Sequence, residues 1–250
     1  MTALLLALAA AGTFAVGMIT AGGAAMLLVP VVGWLCGAAA VAPVVTVATM
    51  GSGVSRILML RRSIRWDLVR WYLPAALLGA FLGARLFATL VREHADSGWI
   101  ELLLGLFLLS MVLQFRFGRR RGMRLRPWVL GPVGFVVAGL SGLVGGTGPV
   151  LNPFYLGLDV QREELIATKA FNALMVHLTK VGTYAAFGAL DLLLLSYGLA
   201  AAVGAVGGNL LGRRWLRAMG ERRFRGLVVA MMAVAGLLLL WQGWQARGAA

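Results

Sequence analysis

The stretch that decides the fold runs from Gly142 to Pro153 and reads GLVGGTGPVLNP. A similar stretch near the start, residues 21–30, reads AGGAAMLLVP. In both, a glycine cluster precedes a short apolar segment, 148–158 or 23–36, that carries a proline in its first half. A helix needs about 20 apolar residues to cross a bilayer, and both segments are shorter. We therefore predict two half-helices or re-entrant segments.

The two stretches belong to an internal repeat. Three residues recur 123 positions later: Gly22, Gly23 and Pro30 match Gly145, Gly146 and Pro153. Further matches follow in the same order: Asp67 with Asp191, and Tyr72, Gly79, Ala80 and Gly83 with Tyr197, Gly204, Ala205 and Gly208. The order and the near-constant offset argue against chance and divide the chain into repeats of 1–123 and 124–250. The glycines at four-residue spacing favour close helix approach.

The composition is that of a membrane protein. Hydrophobic residues make up 60% of the 250 residues, charged residues make up 13%, and the mean hydropathy is +0.87. Soluble domains are about half apolar and about a quarter charged. The apolar spans are 2–20, 23–36, 40–60, 67–91, 98–116, 127–144, 148–158, 164–188, 191–212 and 224–244. They leave no room for a soluble domain, so we predict an all-α polytopic membrane protein.

The formal charge of +14 raises the question of nucleic-acid binding. However, the arginines cluster between the apolar spans, as they do in cytoplasmic loops beside anionic lipid. We therefore expect membrane lipid, and no nucleic acid, as the partner of this charge. The one cysteine, Cys36, lies in an apolar segment and excludes an intrachain disulfide.

The basic residues between the spans indicate how the repeats are related. The loop at Arg61–Arg65 is basic, whereas its counterpart near Asp191 is not. The loop at Arg92–Asp96 is nearly balanced, whereas its counterpart at Arg213–Arg225 is strongly basic. Charge that changes sides between equivalent loops is expected of inverted repeats. Each repeat would then hold a broken or re-entrant helix pair plus three transmembrane helices.

The glycine clusters are candidate anion sites. A helix that begins inside a membrane protein exposes unpaired N–H groups and the positive end of its dipole, which attract anions. Glycine lets the backbone turn and the ligand approach closely. Two such elbows in an inverted repeat would face each other; their residues are Gly22, Gly23, Gly145, Gly146, Thr147 and Gly148. The alternative is that these glycines only relieve crowding where helices cross.

Polar residues follow one side of the predicted helix 164–188. They are Thr168, Lys169, Asn172, His177 and Lys180. At about 100° per residue, Lys169 and Lys180 lie about 20° apart around the helix. A buried ammonium needs a partner, and an anionic ligand is a natural counter-charge. Alternatively, Lys169 snorkels to the interface and His177 is a packing residue. His177 is also a candidate proton carrier.

The equivalent helix of the first repeat carries Thr49 and Arg56 on one polar arc. Thr49 is a candidate hydrogen-bond donor to substrate, or it bonds back to its own helix. Arg56 offers a fork of donors that suits an oxyanion, or it reaches the membrane interface. No HExxH, GxSxG, Walker A or paired Cys/His pattern is present in the sequence. We therefore expect no enzyme activity, metal or cofactor.

The chain resembles the sulfite exporter TauE/SafE family, also called four-TMS sulfur-compound uptake and export proteins. The resemblance rests on Gly22-Gly23 through Pro30, Gly142 through Pro153, the pairs Ala48-Thr49 and Ala167-Thr168, the spaced glycines, and His177 to Lys180. The first elbow departs from it, since Ala24-Ala25 stand where further glycine is common. The resemblance implies transport of sulfite or small organosulfur anions such as sulfonates across the bacterial inner membrane.

The leading hypothesis is a secondary transporter for a small sulfur-containing oxyanion that binds between the two elbows. Lys180 and Arg56 would supply positive charge, and Asn172, Thr168 and Thr49 would supply hydrogen bonds. An anion channel and a non-transporting membrane scaffold or assembly factor are the alternatives. The sequence leaves open the transport direction, the coupling ion and whether the chain forms a homo-oligomer.

The predicted topology can be tested with a reporter. With five segments in each repeat, the basic loops all face one side, which is the cytoplasm by the positive-inside rule. Both termini then lie outside. Alkaline phosphatase, which is active only outside the cytoplasm, should be active when fused after Ala250 and inactive when inserted at Arg61–Arg65. A cytoplasmic signal from the Ala250 fusion would show that this topology is wrong.

Overall fold

A computed structural model describes residues 1–17, 24–94, 99–117, 125–151, 154–155, 157–158, 160, 162–215 and scattered positions between 233 and 245. Gly22, Gly23, Pro153 and most of the predicted span 224–244 lie outside these ranges. Within the described ranges the regular secondary structure is entirely helical. The all-α prediction is therefore confirmed for this part of the chain.

The helices follow the predicted spans closely, except at 148–158, where the described residues form a 3-10 turn at Gly148–Leu151, two helical positions at 154–155 and a turn at 157–158. They are α1 (Thr2–Gly17), α2 (Ala24–Cys36), α3 (Ala38–Leu60), α4 (Trp66–His94), α5 (Trp99–Phe117), α6 (Leu130–Val144), α7 (Arg162–Ala186) and α8 (Leu192–Trp215). Three short 3-10 turns join them: Arg61–Ser63, Pro127–Val129 and Gly148–Leu151. With 13 residues, α2 is short for a full crossing, as predicted.

Four helical segments of the described chain are long and apolar enough to cross a membrane. They are Ala38–Leu58, Trp66–Glu93, Pro127–Val144 and Leu192–Gly212. Helix α7 has 25 residues but is not among them, because polar and charged residues interrupt its apolar sequence. Many large apolar side chains on α4 and α8 are exposed, as expected where a helix faces lipid. The chain is thus a multi-pass membrane protein.

A single residue, Gly37, separates α2 from α3. Its φ of +85° is a left-handed conformation that favours glycine, and its N–H donates to the carbonyl of Gly33 over 3.0 Å. This turn ends α2 and lets it pack against α3. The two helices therefore lie side by side, while the predicted re-entrant pairing of the short segment with the helix before it stays a prediction.

Helices from the two predicted repeats pack against each other. Helix α1 packs on α8, and α4 packs on α6; α3 also contacts α7 and α8, and α4 contacts α7. The first helix of each repeat thus lies on the fourth helix of the other. This reciprocal pattern is what a repeat related by a two-fold axis would produce. The inverted relation and the division at residue 123 stay predictions.

The spaced glycines bring these helices into backbone contact. A Cβ atom on Gly79 or Gly83 would overlap the carbonyl of Phe135 or Gly139 on α6. Along α8, Cβ atoms on three glycines would overlap carbonyls of α1: Gly204 on Ala7, Gly208 on Ala11 and Gly212 on Ala15. The predicted close approach is confirmed, and it requires these positions to lack a side chain.

Gly204 and Gly207 provide a matched test of this contact on α8. Gly204→Ala should destabilise the protein by about 1–3 kcal/mol, because the new methyl group forces α1 away. Gly207→Ala meets nothing within 4 Å and should stabilise by about 0.5–1 kcal/mol through its helix preference. Thermal unfolding in detergent measures both. Equal melting temperatures for the two variants would contradict the packing described.

Candidate functional site

A cavity of about 100 Å³ lies between the two apolar clusters of the protein. One buried water needs roughly 10–15 Å³, so the cavity has room for a small solute. Phe14 of α1 and Ala24 and Ala25 at the start of α2 form one wall. The other walls come from α3, α6, the glycine turn after α6, and α7. Polar lining residues are Thr49, Ser52, Arg56, Tyr72, Ser141, Thr147, Lys169, Asn172 and His177.

Two cationic side chains share this cavity. Arg56 reaches it from α3 and Lys169 from α7, and Lys169 is only 9% exposed. The lining residues that the structure describes include no carboxylate. Charged groups placed in a membrane protein usually face a cavity or a partner. Both side chains therefore reach the cavity, and their role in substrate binding stays a prediction.

Three cavity-lining residues each have a buried polar atom with no hydrogen-bond partner in the described structure. These atoms are Arg56 Nε, Asn172 Oδ1 and His177 Nδ1. A buried polar group without a partner costs about 1–3 kcal/mol, and native proteins rarely leave such groups unsatisfied. All three of these atoms belong to residues that line the one cavity.

Asn172 can present a donor to this cavity. In the structure its Nδ2 donates to the hydroxyl of Tyr155 over 2.8 Å. A tyrosine hydroxyl can also donate, so the amide can rotate and accept from Tyr155 through Oδ1 instead. Nδ2 then replaces Oδ1 as the group without a partner. The residue therefore suits a ligand that accepts hydrogen bonds.

The second glycine elbow lies against the cavity and forms part of its wall. Helix α6 ends at Val144, and Gly145 has a φ of +90° and donates its N–H to the carbonyl of Ser141 over 2.9 Å. Gly146 and Thr147 line the cavity, and the backbone turns again at Gly148–Leu151. A Cβ atom on Gly146 would lie 2.7 Å from Cβ of Ala25. The turn therefore touches the start of α2, which follows Gly22 and Gly23.

Lys180 holds this turn in place. The residue is fully buried, and its Nζ lies 2.9 Å from the Ser141 carbonyl, 2.8 Å from the Gly145 carbonyl and 3.1 Å from Ser141 Oγ. The hydroxyl of Tyr184 donates to the carbonyl of Gly142 beside it. The Gly145 carbonyl lies past the end of α6 and lacks an intrahelical donor, so α7 supplies one; the Ser141 carbonyl accepts from both Lys180 and the Gly145 N–H. Lys180 is not among the cavity-lining residues. Its ammonium group contacts carbonyl oxygens of Ser141 and Gly145, where the sequence predicted an anionic ligand.

The two candidate threonines have different surroundings. Thr49 lines the cavity, but its Oγ1 donates to the Val45 carbonyl over 2.6 Å, the backbone bond considered as its alternative role. Thr168 lies away from the cavity, and its Oγ1 accepts the backbone N–H of Arg65 over 2.9 Å. Arg65 also pairs with Glu164 and with Asp67, and the hydrogen bonds that it donates to the Asp67 carboxylate raise the pKa of the arginine. Thr168 thus joins α7 to the α3–α4 loop.

Asn209 is a polar residue that the sequence reading missed. It is 1% exposed on α8, and its Oδ1 accepts a hydrogen bond from Arg56 over 3.4 Å. A lone amide in an apolar membrane helix is itself a signal of polar function. Asn209 directly follows Gly208, one of the spaced glycines that indicate helix packing, so this part of α8 was interpreted as a packing surface.

The helices define a multi-pass membrane protein, and a cavity with polar lining residues lies between them. A family model described as Sulfite exporter TauE/SafE matches residues 4–239. The chain belongs to this family and is a membrane transporter of sulfur compounds. Searches of curated proteins and of solved structures each gave no significant match.

Lys180→Met tests the clamp on the glycine turn. The variant should lose about 1–3 kcal/mol, because the buried Gly145 carbonyl loses its short hydrogen bond from Lys180, and its melting temperature should fall. Leu178→Met is the control, because it places methionine at an exposed position of the same helix and should unfold like the wild type. A Lys180→Met protein with the wild-type melting temperature would show that the three contacts contribute nothing.

Proposed function

We propose that the protein is a secondary transporter that carries sulfite, or a small sulfonate-like anion, across the bacterial inner membrane. The observation that carries the proposal is one cavity with two cationic side chains and three buried polar atoms without partners in the described structure. An oxyanion would satisfy both features, because it brings negative charge and several acceptor atoms. The family assignment supplies the sulfur chemistry.

Arg56 and Lys169 would bind the anion from α3 and α7. Hydrogen bonds in which both partners are charged are shorter and roughly twice as strong as neutral ones, and each contributes about 1.5–3 kcal/mol. Arg56 Nε is a donor without a partner in the described structure. Asn172, in its rotated orientation, and the hydroxyl of Ser52 would add donors from the cavity wall, whereas the Thr147 hydroxyl already donates to the Val137 carbonyl.

The two elbows would add backbone donors and dipoles. Helix α2 begins at Ala24, which lines the cavity, and the first turn of a helix carries unpaired N–H groups and partial positive charge. Broken helices of transporters use such ends to hold anionic groups. Gly22 and Gly23 would precede this end, while Gly146, Thr147 and Gly148 would form the opposite side. Lys180 would act indirectly, by holding the second elbow.

The proposed transport mechanism is alternating access. In inverted repeats, one half can rock against the other around a fixed central site. His177 lines the cavity with an unpartnered Nδ1, and it would be the proton carrier if transport is coupled to protons. Both termini would lie outside.

Removing either cation should impair transport. In proteoliposomes, Lys169→Met and Arg56→Met should each lower kcat/KM for sulfite about 10–100-fold, the factor expected for one lost charge-assisted hydrogen bond. Arg62→Gln removes a positive charge from the exposed turn after α3 and should transport like the wild type. Initial rates with fresh sulfite measure the effect.

Three outcomes would count against this function. Wild-type rates in both cavity variants would show that the anion does not bind there. Flux that does not saturate and does not respond to a proton gradient would indicate a channel. A reconstituted wild type that moves none of sulfite, thiosulfate or methanesulfonate would indicate a scaffold or assembly factor.

A further inference from the structure

Asn209 connects the helix that bears Arg56 to a helix of the other predicted repeat. Helices α3 and α8 pack closely, and a Cβ atom on Gly51 would lie 2.8 Å from Cβ of Ala202. Asn209 lies farther along the same contact and is 1% exposed. Its Nδ2 lies 2.8 Å from Ser52 Oγ and 3.1 Å from Ser55 Oγ. Its Oδ1 lies 3.4 Å from a terminal nitrogen of Arg56.

The chemistry of the neighbours fixes the orientation of this amide. A guanidinium only donates hydrogen bonds, so it requires the oxygen of Asn209. On the other side, Ser55 gives its own hydroxyl hydrogen to the carbonyl of Ser52 over 2.8 Å. Ser55 Oγ is therefore an acceptor and requires the nitrogen of Asn209. Unlike Asn172, Asn209 has one orientation that satisfies all its neighbours.

We infer that Asn209 is a positioning residue for anion binding, which holds the guanidinium of Arg56 at the cavity through a neutral partner. This inference rests on the proposed function. One donor of Arg56 is anchored, while Nε has no partner in the described structure and the side chain lines the cavity. Because an amide carries no net charge, it fixes the arginine and leaves its positive charge available to the anion.

A carboxylate at the same place would anchor Arg56 equally well but would remove this advantage. Arginine and a carboxylate form strong paired hydrogen bonds, and the negative charge would then compete with a bound anion. Asn209→Asp keeps the size and the accepting oxygen of the side chain, and it replaces Nδ2 with a second oxygen to which the hydroxyls of Ser52 and Ser55 can turn and donate. Asn209→Ala removes the anchor and leaves a small void in the α3–α8 contact. The two substitutions therefore separate the charge of residue 209 from its packing.

The experiment measures sulfite affinity by calorimetry and KM in proteoliposomes, with the melting temperature of each ligand-free protein. For Asn209→Asp we expect sulfite affinity to fall at least about 10-fold and the melting temperature to change by less than about 4 °C. For Asn209→Ala we expect the larger fall in melting temperature and the smaller fall in affinity. In both variants KM should rise more than kcat falls.

A positioning role predicts that Asn209→Asp is the weaker sulfite binder, whereas Asn209→Ala is the less stable protein. If Asn209 only supported packing, Asn209→Ala would be the weaker binder as well as the less stable protein, and that result would overturn the inference. Wild-type sulfite affinity in Asn209→Asp would also overturn it. Arg62→Gln changes the net charge by the same amount at an exposed site and should bind sulfite like the wild type.

Two further results keep the outcomes distinct. If Asn209→Asp does not fold, Ser55→Ala removes one acceptor of Asn209 without adding charge, and it should weaken sulfite binding about 2–5-fold, the loss expected for one neutral hydrogen bond. No weakening in that variant would overturn the inference. A wild-type protein that neither binds nor transports sulfite, thiosulfate or methanesulfonate would overturn the proposed function, and the inference would fall with it.

Discussion

The contact between Lys180 and the end of α6 is the interaction on which the arrangement of the site depends. A helix that ends inside a membrane protein leaves carbonyls without donors, and hydrocarbon offers none. Lys180 supplies donors to the carbonyls of Ser141 and Gly145, and Tyr184 donates to the carbonyl between them. With its carbonyls satisfied, the chain can leave α6 at Gly145 and present Gly146 and Thr147 to the cavity.

A second constraint is the close packing of helices from opposite ends of the chain. Glycines of α4 and α8 lie so close to backbone carbonyls of α6 and α1 that no side chain would fit at these positions. This packing sets the spacing of α3 and α7, which stand between those pairs and carry Arg56 and Lys169. The polar groups are not distributed symmetrically over the two predicted repeats. Asn209 follows Gly208, whereas Ala84, which follows the matching Gly83, is buried and apolar.

Much of the fold could be predicted because membrane-spanning helices are recognisable in a sequence as long, continuous apolar segments. The described helices begin and end within a few residues of the predicted spans, and the spaced glycines lie in the close contacts expected of them. The polar arc of α7 was also visible, since a helix places Lys169, Asn172 and His177 on one side. Those three residues do line one cavity, together with Arg56 of α3.

The partners of each polar side chain were not predictable in the same way. The helical period places Lys169 and Lys180 on the same face of α7. Even so, Lys180 bonds to the backbone of α6, whereas Lys169 lines the cavity. Thr168 bonds to the backbone of Arg65 on another segment, and Asn209 reaches Arg56 across 153 residues of chain. Apolar periodicity and charge determined by themselves that this chain is a multi-pass helical protein with a polar interior. Only the tertiary structure decided which polar groups face the cavity, because a hydrogen bond depends on distances between helices that no local pattern contains.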